Sequence, residues 1–257
     1  MKHRPSKRFG QNFLVDAGVI AAIIAAIRPA RGEHLVEIGP GLGALTRPLL
    51  AAAGHLHAIE IDRDLAASLQ DEFGARLTLH LADVLKFDFA ALGDDLRIVG
   101  NLPYNISTPL LFHLARCAER IRDIHVMLQK EVVARMVAAP ADGNYGRLSV
   151  MLQYRFELAK LLEAPAAAFR PAPEVESALV CLTPLRPLRH PARDEALFAR
   201  IVTAAFSQRR KTLRNSLRSF LSEPDFAALA IAPTARAQEL SVAQFVALAN
   251  HVSRRAE

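Results

Sequence analysis

Asn101-Leu102-Pro103-Tyr104 follows directly on the apolar run Leu96 to Gly100. At a strand end, an amide, a turn-forcing proline and an aromatic ring make a small pocket. The amide oxygen and nearby backbone carbonyls accept hydrogen bonds, and the ring offers a flat face. Those are the requirements for gripping an exocyclic amine on a planar base. An adenine amine is a poor nucleophile, because its lone pair is delocalised into the ring. If Asn101 Oδ1 and the Leu102 carbonyl accept its N–H bonds, the nitrogen is drawn toward a pyramidal form with its lone pair aimed at an electrophile. Alignment and dipole placement then supply most of the catalysis, and no strong base is required. Tyr104 stacks on the base, an interaction worth about 1–3 kcal/mol, and the base must be out of any helix to be reached. Alone, N-x-P-Y is often just a turn, so its meaning depends on what lies upstream.

Upstream lies Glu37-Ile38-Gly39-Pro40-Gly41-Leu42-Gly43. Glycines at 39, 41 and 43, after a strand and before a helix, let the backbone turn tightly and approach a ligand closely. Gly39, Gly41 and Ala44 also satisfy the dinucleotide pattern G-x-G-x-x-A, so the loop by itself does not choose a cofactor. Three acids do. Glu37 ends the first strand, where a carboxylate suits a cationic amino group. Glu60 ends the second strand, 21 residues after Gly39, where an acid reaches ribose hydroxyls. Asp83 follows the third, where an acceptor reads an adenine amine. A carboxylate-rich site fits S-adenosylmethionine, which carries a sulfonium and an ammonium and no phosphate. A dinucleotide would instead place its pyrophosphate on the helix N-terminus.

A second aromatic element is Phe169-Arg170-Pro171-Ala172-Pro173-Glu174-Val175-Glu176-Ser177. Its prolines stiffen the segment and are expected to hold Phe169 over the opposite face of the target base.

The elements that must position these residues alternate between short apolar runs and helical stretches, the pattern of a parallel sheet covered on both faces. Strands are predicted at Leu35–Ile38, Leu56–Ile61, Leu77–Leu81, Leu96–Val99 and Ile124–Leu128. Helices are predicted near 44–53, 63–74, 107–119, 130–138 and 147–154, with a loop over Pro140 to Gly146. The apolar stretches 155–163 and 175–183 suit a hairpin on the sheet edge. Pro184, Pro187 and Pro191 mark a linker. Beyond it the chain reads as all-helical, near 194–207, 209–221, 223–230 and 241–255. This divides the chain into an α/β domain over 1–185 and a helical module over 186–257. In the predicted helix 209–221, Leu213, Leu217 and Phe220 share one face, and Arg210, Arg214 and Arg218 run along another.

Charge follows the same division. Residues 1–185 hold 20 Lys+Arg and 20 Asp+Glu, whereas 186–257 hold 12 and 6, so the formal +6 lies wholly in the last quarter. Lys2, Arg4, Lys7 and Arg8 add a basic arm. Basic ends on a neutral body point to a polyanionic partner. Cys117 and Cys181 lie in apolar stretches without metal-ligand spacing and read as buried, reduced thiols. The nine scattered His residues suggest no metal site. Val19 to Ile27 resembles a signal-peptide core, but Asp16 precedes it, and it falls short of the ~18 apolar residues of a membrane span. It reads as a core helix of a cytoplasmic protein.

Together these motifs resemble the bacterial small-subunit (16S) ribosomal RNA adenine N6,N6-dimethyltransferases of the kasugamycin-sensitivity family. The resemblance covers nearly the whole chain. It rests on Gln11-Asn12-Phe13-Leu14, the glycine loop, Glu60, Asp83, Asn101 to Ser107, Phe169 to Ser177, and Phe206 to Asn215. It implies a Rossmann-like methyltransferase domain followed by a helical C-terminal domain. It further implies transfer of four methyl groups from S-adenosylmethionine to two adjacent adenosines, in a hairpin loop near the 3′ end of 16S ribosomal RNA within an immature 30S subunit. By motif match, Asn12, Leu14, Gly39, Gly41, Glu60, Asp83 and Asn101 would contact the cofactor. Asn101, Leu102, Pro103 and Tyr104 would hold the amine, and Phe169 would stack. Gln11 to Leu14 would fold back as a lid. Arg209, Arg210, Lys211 and Arg214 would meet RNA, and nothing demands more than a monomer without a membrane anchor. Leu102 replaces the first Pro of the related N-P-P-Y pocket, a change that would help admit a monomethylated amine. The competing expectations are a large-subunit dimethyltransferase, and an assembly or transcription factor on the same scaffold.

Overall fold

The structure, a computed structural model, describes residues 11–208 and 210–255. Lys2, Arg4, Lys7 and Arg8 of the basic arm, and Arg209, lie outside the described residues. Nine strands occur among the described residues: β1 (Phe13–Leu14), β2 (Leu35–Ile38), β3 (Leu56–Glu60), β4 (Leu77–Leu81), β5 (Leu96–Asn101), β6 (Ile121–Gln129), β7 (Phe156–Ala164), β8 (Phe169–Arg170) and β9 (Ser177–Pro184). The helices are α1 (Ala17–Ile27), α2 (Thr46–Ala53), α3 (Arg63–Phe73), α4 (Ser107–Arg116), α5 (Lys130–Val137), α6 (Arg147–Arg155), α7 (Glu195–Ala205), α8 (Leu213–Ser216), α9 (Glu223–Ala228) and α10 (Val242–Arg255).

Seven strands form one sheet in the order β4-β3-β2-β5-β6-β9-β7. From β4 to β6 the pairing is parallel, and β9 joins β6 antiparallel. Every residue of β2 is buried, as is every residue of β5 up to Gly100, which is why these strands read as unbroken apolar runs. Chain order reverses between β2 and β5. Ligands in open α/β sheets bind at such a switch point, beyond the carboxyl ends of the strands. This is a Rossmann-like architecture, a mostly parallel sheet that β9 extends antiparallel.

Helix α1 opens on Asp16, whose side chain accepts the Val19 N–H at 2.9 Å. It buries Ile23 and Ile27 in the core, as its apolar periodicity requires. Arg97 on β5 receives its last turn, donating to the Ile27 carbonyl at 2.7 Å and to Glu33 and Asp123.

The chain forms two compact units, 1–133 with 157–184 and 134–156 with 185–257. A contiguous division at 185/186 therefore misses an excursion: α6 and the end of α5 group with the C-terminal helices. Tyr145, Val150 and Tyr154 share a core with Phe198, Ile201 and Phe245. Local periodicity cannot reveal partners so distant in sequence.

The second unit departs from expectation over 209–221. Among the described residues of this stretch, only Leu213–Ser216 is α-helical. The Leu213 and Arg214 N–H groups donate to Ala235 and Pro233, and Thr212 pairs with Arg236, so the backbone there bonds a distant loop. Leu213 and Leu217 are fully buried as expected, but Arg210, Arg214 and Arg218 do not lie along one helix. The cysteines also differ: both are free thiols, yet each is partly exposed, Cys117 where α4 ends and Cys181 on β9.

Candidate active site

A cavity of about 260 Å³ lies at the carboxyl ends of β2, β3, β4 and β5. Asn12, Leu14, Gly39, Gly41, Glu60, Asp83, Asn101, Leu102, Pro103 and Tyr104 all line it. The sheet brings together residues spread over more than ninety positions because parallel strands deliver all their following loops to one edge.

The glycine loop forms its floor. Gly39, Gly41 and Gly43 have φ of +66°, +57° and +77°, the left-handed region. Gly41 has a second reason to lack a side chain: a Cβ there would lie 3.0 Å from the Phe13 ring. Glu60 is held by three backbone donors. Its Oε1 accepts from Ile61 and Asp62 at 2.9 and 3.0 Å, and its Oε2 from Gly41 at 3.2 Å. Burial still outweighs those bonds and raises its carboxyl above the ordinary value. Glu37 is more deeply enclosed, with Oε2 accepting from the Thr46 hydroxyl at 2.7 Å. Burial pushes its carboxyl up to about 8, with the neighbouring Glu60 adding to the rise and Thr46 opposing it. Asp83 Oδ1 accepts from the Leu85 N–H at 3.0 Å.

Gln11 to Leu14 closes one side. Gln11 reaches Asp62 at 3.4 Å, Phe13 packs on Gly41, and β1 pairs with β8 through Leu14↔Phe169 and Phe13↔Arg170. The Val15 and Asp16 N–H groups both donate to the Ala168 carbonyl. Phe169 is thus placed differently from the stacking role expected for it. Its ring is 0% exposed, it sits in the apolar core with Leu14 and Leu179, and it does not line the cavity. A ring with no exposed face has none to give a base; burying it among aliphatic side chains is the stronger driving force.

Asn101 Nδ2 donates to the Asn12 carbonyl at 2.8 Å. That bond fixes which end of the amide is which and leaves Oδ1 as the acceptor on the other side. The Leu102 N–H donates to the Met127 carbonyl at 3.1 Å, a bond that proline could not make. Tyr104 is half-buried, and its hydroxyl lies 2.7 Å from Ser177 Oγ. Residues that sequence reasoning did not single out are Thr46, Gly100 and Ser177. Gly100 interrupts an apolar strand, a signal of close backbone approach. A Cβ on it would lie 2.7 Å from the Ile38 carbonyl oxygen and 3.0 Å from Leu102 Cδ2. Thr46 gave no signal.

The proposed RNA residues belong to the second unit. Arg210 and Lys211 are exposed, and Arg214 is exposed but donates to Glu223 at 2.8 Å. Among the described residues, no helix is long and apolar enough to cross a membrane.

Comparison with known proteins bears on this geometry. Residues 2–254 match the family model for ribosomal RNA adenine dimethylase. Ribosomal RNA small subunit methyltransferase A of Thiobacillus denitrificans is 61% identical over 254 residues, covering 98% of this chain and 100% of its own. The protein of the same name from Aromatoleum aromaticum is 60% identical over 253 residues, covering 98% and 96%. Among solved structures, a dimethyladenosine transferase from Plasmodium falciparum matches with a TM-score of 0.83 at 23% identity, over 95% of this chain and 98% of that one. The 23S rRNA methyltransferase ErmE matches with a TM-score of 0.73 at 24% identity, over 94% and 100%. At those identities the two structures speak to the fold alone.

Proposed function

Because the chain belongs to the ribosomal RNA adenine dimethylase family, we propose that it converts two adjacent adenosines of 16S ribosomal RNA to N6,N6-dimethyladenosine. The methyl donor is S-adenosylmethionine, and the target is a hairpin loop near the 3′ end of that RNA. The observation that carries this reading at the site is the Asn101 amide. Its nitrogen is committed to the Asn12 carbonyl, so its oxygen is the acceptor available to an amine.

The residues present suit this donor. The cavity has buried carboxyl groups at two strand ends and a glycine floor. When bound, S-adenosylmethionine supplies an electrophilic methyl group on a sulfonium. Glu60 offers its remaining acceptor capacity to ribose hydroxyls, Asp83 accepts from the adenine amine, and Glu37 ionises to face the ammonium. Asn101 Oδ1 and the Leu102 carbonyl accept the N–H bonds of the target, holding its lone pair in line. Tyr104 stacks on the displaced base and excludes water from one side. The proton lost after transfer is acidic enough to pass to solvent without a strong base.

The partner we propose is the immature 30S subunit, and the enzyme acts on it as a monomer in the cytoplasm. Arg210 and Lys211, with Arg209 beside them, supply phosphate contacts. The likeness to ErmE is one of fold and does not favour a large-subunit target. The test is incubation with labelled S-adenosylmethionine and, in parallel, undermethylated 30S or 50S particles, followed by nucleoside analysis. Dimethyladenosine in the small-subunit RNA is expected. Label appearing only in 50S particles, or in monomethylated product alone, overturns the reading.

A further inference from the structure

Tyr104 lines the cavity, and its hydroxyl lies 2.7 Å from Ser177 Oγ. The two partners differ in how firmly they are held. Ser177 is wholly buried, opens β9 and pairs with Gln129 of β6. The next residue on β6's side, Lys130, donates its N–H to the Glu176 carbonyl at 2.9 Å, so backbone bonds hold both sides of this position. Tyr104 instead begins a single helical turn, Tyr104–Ile106, beyond the end of β5. Its backbone belongs to no strand, and its side chain is half-buried. The tyrosine hydroxyl lies on the axis about which the ring spins, so a partner at the para position fixes χ1 and with it where the ring sits, while the spin about that axis is left to packing. Burial raises the Tyr104 hydroxyl above its ordinary value, keeping it neutral beside Ser177.

We infer that Ser177 is a positioning residue: its hydroxyl ties the far end of Tyr104 to the sheet and so fixes where the ring that stacks on the target adenine lies. The inference rests on the adenine-methylating function proposed above. It also assigns a role to the proline-rich segment that Phe169 does not fill. That segment meets the amine pocket at its last residue, whereas its first supports the strand carrying Leu14.

The experiment uses the full chain and undermethylated 30S particles, with Ser177→Ala, Ser177→Thr, Tyr104→Phe and the Ser177→Ala/Tyr104→Phe double variant. Ser177→Ala and Tyr104→Phe each remove the same hydrogen bond, and each is expected to lower kcat/KM for methyl transfer by roughly 3–10-fold, the range of one such bond. Cofactor affinity stays at the wild-type value, the melting midpoint falls by no more than about a few degrees, and Ser177→Thr restores the rate. In the double variant the loss is no greater than in the worse single variant, because both single changes break one contact. Wild-type kcat/KM in Ser177→Ala, or losses that multiply in the double variant, overturns the inference. Should Ser177→Ala fail to fold, Tyr104→Phe decides, and an unimpaired rate there overturns it equally. Absence of dimethyladenosine with the wild-type chain would instead strike the proposed function itself.

Discussion

Glu37 is the residue whose chemistry depends most on its surroundings. Enclosed beneath the glycine loop, its carboxyl is lifted to about 8 from an ordinary value of 4.5. Between those values the folded chain binds more protons than the unfolded one, so stability falls as pH rises through that window. The contribution is complete below 4.5 and spent above about 8. Facing an ammonium reverses the preference, because a cation favours the ionised form. S-adenosylmethionine is therefore expected to bind more tightly at pH 7.5 than at pH 5.5, and Glu37→Gln is expected to flatten both trends. Calorimetric titration and thermal melts at the two pH values check this. Parallel pH profiles for wild type and variant would remove Glu37 from the binding scheme.

Two elements set the geometry of the pocket. Strand β5 brings Asn101 to the edge, and Gly100 permits it, since a Cβ would press on the Ile38 carbonyl oxygen at 2.7 Å. Both neighbouring strands are hydrogen-bonded to β5, so the clash has no open side to relax into. Gly100→Ala is expected to destabilise the chain by about 1–3 kcal/mol, the usual cost of overpacking. It should also cut methyl transfer more than cofactor affinity, by displacing Asn101. Melting curves with paired kinetic and binding measurements test it. The other element is the β1–β8 pair. Phe169→Ala would open a core cavity and cost about 3–5 kcal/mol, so Phe169→Leu is the cleaner probe. Loosening Leu14 and Asn12 is expected to raise the cofactor dissociation constant with little change in RNA affinity. A variant that loses RNA affinity and keeps cofactor affinity would return Phe169 to a stacking role.

At the scale of the whole molecule, charge is unevenly divided along the chain. The first 185 residues are electrically balanced, and the excess of Lys+Arg lies beyond them. Replacing Arg210 and Lys211 with alanine is expected to weaken association with 30S particles uniformly. It should also lower the slope of log affinity against log salt by about 1–2, since each phosphate contact releases about one counterion. Salt-series binding measurements would reveal it, and an unaltered slope rules these two residues out as phosphate contacts. Arg214, already donating to Glu223, should matter less.

How much of this is legible in the sequence alone depends on the range of the interactions involved. The glycine loop, its three acids and Asn101 to Tyr104 were readable because a parallel strand and its following loop are adjacent in sequence. Their joining in one cavity follows from the same rule. Residues 134–156 could not be assigned correctly, because their apolar faces are satisfied by side chains some fifty to a hundred positions away. A related reason applies over 209–221: the spacing suits a helix, but the Leu213 and Arg214 N–H groups find carbonyls at 235 and 233. Phe169 is wholly buried away from the cavity, and Ser177 bonds a residue that lines it, on the same principle. Residue type alone marks an aromatic as a stacking surface, yet whether a ring faces a ligand or a core is settled by packing between segments distant along the chain. Composition and local order thus specified the chemistry this chain can do, and long-range burial specified which side chains are free to do it.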